Sequence, residues 1–210
     1  MKILDIFSGF GGASEAFAQD EAWGILRIEN NPLLSNVEHT RSMDIFEFRD
    51  WLLEQKNRYG PFSVDVLWAS PPCKEFSMAY SAPRSQAIRD GLEDEYEPYM
   101  GFLDVAMEII EIVAPRYWII ENVKGAIKYF SPKLGEPSQI HGAYVLWGNY
   151  PKFIPDEFPS KADKDQRWSA LRSNHKAKVP IEISQALKDA VENQASIFDF
   201  TSFDEVSEQV

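Results

Sequence analysis

Cysteine is almost absent from this chain: one residue, Cys73, in 210. An internal disulfide framework is excluded, and cysteine usage gives no sign of secretion. No apolar run approaches the roughly 18 residues that span a bilayer. The start, Met1-Lys2-Ile3-Leu4-Asp5, enters a strand pattern directly and carries no signal-peptide pattern. These absences give the expectation of a cytoplasmic protein with no membrane contact. Basic charge is also scarce: 21 Lys and Arg face 33 Asp and Glu, a formal net charge of −12. That handicaps a nucleic-acid binder, whose affinity rests largely on phosphate contacts, unless the base is concentrated in one place. Residues 161–178 form such a basic strip, while acid gathers in residues 90–97 and near the end of the chain. No internal repeat is present, and no metal-binding pattern stands out.

What is present suits one medium α/β domain. Hydrophobic residues make up 44% of the chain and charged residues 26%, ordinary for a globular core. Strand and helix patterns alternate, which predicts a doubly wound, mostly parallel sheet with helices on both faces. Residues 3–7 read as the first strand, 8–12 as a glycine-rich turn and 13–19 as a helix. Residues 23–28 read as the second strand, closed by Glu29-Asn30-Asn31-Pro32. A short helix is expected over 33–40, a loop at Asp44-Ile45, and a helix over 46–59 ended by Gly60-Pro61. Residues 64–69 form an apolar strand, 77–98 a long loop, and 99–113 an amphipathic helix. Strands follow at 117–120 and 144–147. Residues 150–178 read as irregular, and Pro180 as the start of a last helix. The expected domain is 1–195, with 150–178 a short basic segment and 196–210 an acidic tail.

Chemistry concentrates at strand ends. Pro71 and Pro72 stop the 64–69 strand and present Cys73 on a stiff turn, where open α/β sheets bind ligands. A lone cysteine there is either a nucleophile or a small buried filler. Gly9, Gly11 and Gly12 permit a tight turn and close approach of a ligand to the backbone. A dinucleotide fingerprint wants a further glycine where Ser14 stands, which argues against a nicotinamide cofactor. Glu29 closes the second strand where an acid takes a ribose hydroxyl pair; otherwise it is a solvated strand end. Asp44 alone reads as a turn former. Glu121 ends the apolar run Tyr117-Trp118-Ile119-Ile120, so partial desolvation should raise its pKa and suit it to proton donation. The alternative is a helix cap.

Three of these segments, in this order, resemble the cytosine carbon-5 DNA methyltransferases: Asp-Ile-Phe-Ser-Gly-Phe-Gly-Gly at 5–12, Ser-Pro-Pro-Cys-Lys-Glu-Phe-Ser at 70–77, and Glu-Asn-Val at 121–123. The resemblance covers roughly residues 1–150 plus a helix at the end. It implies a Rossmann-like, S-adenosylmethionine-dependent methyltransferase fold. It also implies that Cys73 attacks carbon 6 of the target cytosine while Glu121 protonates the ring nitrogen. Pro72 and Asn122 would shape the cysteine loop. Asp5, Phe7, Gly9, Phe10, Gly11 and Gly12 would line the methionine and adenosine. Glu29 with Asn30 would take the ribose hydroxyls, and Asp44 with Ile45 the adenine. Val179-Pro180-Ile181 resembles the last motif of the family, which returns to the cofactor site.

The departures bear on the substrate. The family carries a Gln-x-Arg-x-Arg segment before its late strand. Here Gln139 matches, His141 stands at the first arginine and Ala143 at the second. His141 is the candidate replacement for the missing cation. The stretch between Val123 and Gln139 is short, which predicts a reduced sheet edge with one strand lost. In place of a recognition domain only residues 150–178 remain, too few for a core of their own. Ser77, Gln139, His141, Lys161, Arg167 and Arg172 are the candidate substrate contacts, Trp168 lying among the last of them. DNA is the expected partner, with a second protein as a possible source of target recognition. Small size suggests a phage or mobile element, and restriction-modification as the setting. The alternatives are the same chemistry on RNA or a free cytosine nucleotide, or a non-catalytic nucleic-acid-binding relative.

Overall fold

The structure, a computed structural model, describes residues 1–156 and 169–194. Seven strands form one sheet: β1 (Lys2–Ile6), β2 (Gly24–Glu29), β3 (Thr40–Ser42), β4 (Val66–Ala69), β5 (Tyr117–Val123), β6 (Gln139–His141) and β7 (Tyr144–Asn149). Their order is β3-β2-β1-β4-β5-β7-β6. All neighbouring pairs are parallel except those made by β7, which runs against β5 and β6. Central β4 is buried along its whole length, as a parallel strand covered on both faces must be. The chain winds outward in one direction from β1 and in the other from β4. Their carboxyl ends therefore border the crevice where such sheets bind ligands.

Seven helices complete the described fold: α1 (Glu15–Ala18), α2 (Ile45–Tyr59), α3 (Pro83–Arg89), α4 (Gly101–Val113), α5 (Ile127–Leu134), α6 (Arg172–Ala177) and α7 (Ile181–Glu192). Alternation along the strands divides the core in two. Leu4, Ile6, Leu67 and Ala69 face α2, α4 and α5 with Phe48, Ile109 and Phe130. Ile3, Val66, Trp68 and Ile119 face the other way, against Phe17 of α1 and Leu187 of α7. Asp5 lies on this second face. In α7 the Ser184 hydroxyl donates to the Ala13 carbonyl at 2.8 Å and accepts from Ala16 N at 3.1 Å, which pins the last helix to the glycine turn.

The reduced edge is as expected: between Val123 and Gln139 the structure holds α5 and no strand, and β6 after it has three residues. Other elements differ from the sequence reading. Gly142, at φ 62°, closes the β6–β7 hairpin together with Ala143, a turn that favours glycine at the positive φ. Residues 33–40 form only the short turn Pro32–Leu34. Asp44 is no loop residue but caps α2, its carboxylate accepting from Phe46 N at 2.9 Å. The long loop after Cys73 contains α3, and the segment 150–178 contains α6.

Candidate active site

A cavity of about 1100 Å³ opens over the carboxyl ends of β1, β4 and β5. Asp5, Phe7, Gly9, Phe10 and Gly12 line it from the first turn, Glu29, Asn30 and Ile45 from the neighbouring side. Pro72, Cys73, Ser77, Glu121 and Arg172 complete the set of expected residues that reach it. Phe7 holds a positive φ of 56°, which is uncommon outside glycine, and packs edge-on against Phe102. Gly12 is required by packing: a Cβ there would stand 2.2 Å from the Val179 carbonyl.

Cys73 begins a short turn, Cys73–Glu75, directly after Pro72. Its carbonyl accepts from Phe76 N and Ser77 N, both at 3.0 Å. Asn122 braces the loop from below: Nδ2 donates to the Pro71 carbonyl and Oδ1 accepts from Val123 N, both at 2.9 Å. Burial raises the Cys73 thiol, and the neighbouring charge of Glu121 raises it further. Glu121 itself is 8% exposed, and burial raises its carboxyl to about 7, with the Ser70 hydroxyl opposing. So the two groups are coupled, and a proton on Glu121 eases ionisation of Cys73.

Across the cavity, Glu29 accepts from Gly9 N at 2.9 Å through one carboxylate oxygen and from Asn31 N at 2.8 Å through the other. Each oxygen keeps acceptor capacity for a ligand hydroxyl. Asp5 is 1% exposed, and burial raises its carboxyl to about 7. Its Oδ1 has no partner. The upper wall is basic. Arg172, Lys176 and Lys178 line it beside Ser173 and Asn174, and Phe10 stacks on His175 with ring centroids 4.3 Å apart.

Five expected residues do not line the cavity. Gly11 and Asn122 lie behind it, and Asp44 spends one oxygen on its helix, although Met43 and Ile45 on either side reach the space. Gln139 is occupied by the Phe153 backbone: Nε2 donates to its carbonyl at 2.7 Å and Oε1 accepts from its amide at 3.4 Å. His141 is buried and stacked on Phe153 at 5.0 Å, and burial lowers its pKa. A neutral, covered imidazole does not replace an arginine, so that expectation is corrected. Lys161, Arg167, Trp168 and the acidic tail lie outside the described residues. The sequence reading missed Ser70, Tyr144 and, beside Arg172 in α6, Ser173 and Asn174. Ser70 had a signal, being two places beyond Trp68 on the same face; Trp68 Nε1 donates to its hydroxyl at 2.8 Å.

Among the described residues no helix is long and apolar enough to cross a membrane, and no three His, Cys, Asp or Glu gather as a metal site. The chain resembles a probable DNA (cytosine-5)-methyltransferase of Frog virus 3, 30% identical over 155 residues that cover 70% of this chain and 66% of that protein. It also resembles the type II methyltransferases M.AgeI of Thalassovita gelatinovora and M.HpaII of Haemophilus parainfluenzae, each 31% identical. Those matches cover 60% and 59% of this chain but only 29% and 31% of the relatives, so the chain spans less than two thirds of the curated proteins it matches. Residues 1–132, more than half of the 210, match C-5 cytosine-specific DNA methylase, and the chain belongs to that family.

Proposed function

We propose that the chain transfers a methyl group from S-adenosylmethionine to carbon 5 of cytosine in DNA. The observation that carries this reading is the meeting of Cys73 and a buried, raised Glu121 in the cavity that the glycine turn opens. The curated relatives named above are DNA (cytosine-5) and type II methyltransferases, which supports DNA as the substrate. Acting on DNA accords with the cytoplasmic location expected from the sequence.

The residues present fit the cofactor. Asp5 lines the cavity and has a buried oxygen, Oδ1, without a partner, and Glu29 retains acceptor capacity on both oxygens. Asp5, Phe7, Gly9 and Gly12 would hold the methionine end and Glu29 the ribose. When bound, S-adenosylmethionine supplies an electrophilic methyl group.

The chain's own groups make the cytosine ring reactive. The Cys73 thiol gives up its proton to water, and the thiolate forms a bond to carbon 6. Glu121, protonated, gives its proton to ring nitrogen 3, so the electron pair of the broken double bond gathers on carbon 5. After methylation water takes the proton on carbon 5, ring nitrogen 3 returns its proton to Glu121, the double bond reforms, and Cys73 leaves as thiolate. A carboxyl raised to about 7 can both hold and release a proton near neutral pH, which suits both halves of this exchange. Pro72 and Asn122 hold the thiol in place. Arg172, with Ser77 across the opening, would meet the flanking phosphates of an extruded base.

Incubation with cofactor labelled in the methyl group, against DNA, structured RNA and deoxycytidine triphosphate, tests the proposal. Label in DNA at cytosine is the expected result. Label on RNA or nucleotide alone would replace the substrate and keep the chemistry. Target recognition by a second protein would show as DNA labelling that requires cell extract.

A further inference from the structure

The chain that leaves Cys73 returns to it. The Tyr96 hydroxyl donates to Glu75, 2.7 Å from a carboxylate oxygen and 3.0 Å from the carbonyl. Phe76 is 2% exposed and packs on Tyr129 and Phe130 of α5, with ring centroids 5.7 and 5.0 Å away. Residues 77–95 are therefore a closed excursion, anchored at both ends beside the cysteine. Ser77, Ala79, Tyr80, Ser81 and Ala82 line the cavity, and α3 begins next with Pro83, a favoured residue at a first helical position.

Arg84, the second residue of α3, joins this excursion to the strand end that carries Glu121. Its side chain is 14% exposed. Nη1 donates to the Gly125 carbonyl at 3.3 Å, Nη2 donates to Glu93 Oε1 at 3.2 Å, and the guanidinium carbon lies 5.8 Å from the centre of the Tyr129 ring. Gly125 belongs to the turn that follows β5, four residues beyond Glu121. A Cβ on Gly125 would stand 2.0 Å from the Phe76 carbonyl oxygen and 2.8 Å from Arg84 Nη1, so backbone meets backbone there. A planar fork can bond in two directions while its face rests on a ring, which a lysine cannot do. Among the described residues Nε has no partner, so this guanidinium is a costly way to secure a helix. An apolar side chain on Tyr129 would hold α3 with less desolvation. It would lack the directed bond to the exit of β5.

We propose that Arg84 is a positioning residue for methyl transfer: its bond to the Gly125 carbonyl sets the wall formed by Ser77, Tyr80 and Ala82 relative to Cys73 and Glu121, so that a cytosine entering the cavity meets thiol and carboxyl together. The inference rests on the methyl-transfer reading above. The Glu93 bond is the lesser of the two, because the Glu93 side chain is 43% exposed and water screens the pair. Glu29 and the glycine turn take no bond from Arg84, so the cofactor side should not feel its loss.

Cys73 itself reports the position, in two assays that should move in opposite directions. Arg84→Met should slow adduct formation on saturating DNA carrying 5-fluorocytosine by about 10–10²-fold, the scale of a misplacement near 1 Å. Iodoacetamide should alkylate Cys73 of the same variant several-fold faster without substrate, because the loosened wall exposes a thiol that burial now covers. Calorimetric affinity for S-adenosylhomocysteine should stay within about twofold of wild type. Arg84→Lys keeps the charge but not the two-way bond and should behave as Arg84→Met does, which secures the test if the methionine variant fails to fold. Glu93→Gln keeps the Gly125 bond and should form adduct within about threefold of the wild-type rate. An unchanged adduct rate in Arg84→Met, equal losses of adduct rate and S-adenosylhomocysteine affinity, a rate that Arg84→Lys restores, or a Glu93→Gln loss as large as that of Arg84→Met overturns the proposal. A wild type that forms no adduct overturns the methyl-transfer reading itself. The placement of the wall by Arg84 is then judged by alkylation, and equal rates in wild type and Arg84→Met overturn it too.

Discussion

Asp5 and Glu121 form a natural pair. Both lie near the carboxyl ends of strands, two positions apart in the sheet with β4 between them, and both are covered by the same cavity. Burial raises each carboxyl to about 7. Their company differs. Asp5 has a hydroxyl bond and a buried guanidinium on one side and an unpartnered oxygen on the other. Glu121 has the Ser70 hydroxyl and a thiol that it discourages from ionising. Equal desolvation therefore serves opposite ends. A cation arriving at Asp5 would pull it toward the charged form. A thiolate forming beside Glu121 would hold it in the neutral form. One carboxyl has a buried cation behind it and the other a thiol beside it.

The strongest break in this comparison removes the thiol. Cys73→Ala should abolish methyl transfer, with S-adenosylhomocysteine affinity within about twofold of wild type, because covalent catalysis has no substitute group here. Wild type, given DNA carrying 5-fluorocytosine, should form a stable adduct seen as a mass shift, since the fluorine on carbon 5 cannot leave as a proton. An active enzyme without that adduct would rule out attack at carbon 6.

Next comes the proton. Glu121→Gln keeps shape and neutrality but has no proton to give, and should lower the rate by about 10²–10⁴-fold, the usual worth of a positioned general acid. The same change removes the charge that raises the thiol. Iodoacetamide alkylation of Cys73, measured against pH without substrate, should therefore shift its midpoint to lower pH in Glu121→Gln. An unshifted midpoint would show that the two groups are not coupled. A smaller loss belongs to Asn122→Ala, which deletes one buried and one partly buried hydrogen bond. It should cost about 1–3 kcal/mol of stability and slow adduct formation while leaving cofactor affinity in place.

The contrast between the two carboxylates also explains which parts of the molecule were legible in its sequence. The strand ends were readable because Pro71-Pro72-Cys73 and Glu121-Asn122 break apolar runs, and a break in a run is a local signal. The edges were not: β3 and β6 have three residues each, too short for any period to show. Asp44 looked like a turn former, and its capping bond to Phe46 N makes it a helix start, a role that Ser, Thr and Asn share with it. Arg27 was visible as a charge in an apolar strand, but its partner was not. Ser14 and Asp5 lie 13 and 22 positions away in the chain, and only the parallel register of β1 and β2 brings the three together. His141 failed for the converse reason. Its position in a motif suggested a cation, and the packing of Phe153 over its ring made that state costly.

The gentlest test of the comparison is stability without any ligand. A carboxyl raised in the folded state binds a proton there that the unfolded chain has already lost. For Glu121 that interval runs from the ordinary value of 4.5 to about 7. Within it the folded state holds more protons, so stability falls as pH rises, and the full penalty is present above about 7. Glu121→Gln removes the titration and should be more stable than wild type at pH 8 by about 1–3 kcal/mol, with the advantage shrinking toward pH 4. Asp5→Asn removes a titration of the same sign and keeps an acceptor for the Ser14 hydroxyl, but takes away the negative charge opposite the buried Arg27. Its gain at pH 8 should therefore be offset, leaving it no more stable than wild type. Thermal melts of the three proteins at pH 5 and pH 8 read the difference directly. Two variants stabilised alike at pH 8 would mean that Arg27 contributes nothing to holding Asp5, and that the two carboxylates differ only in address.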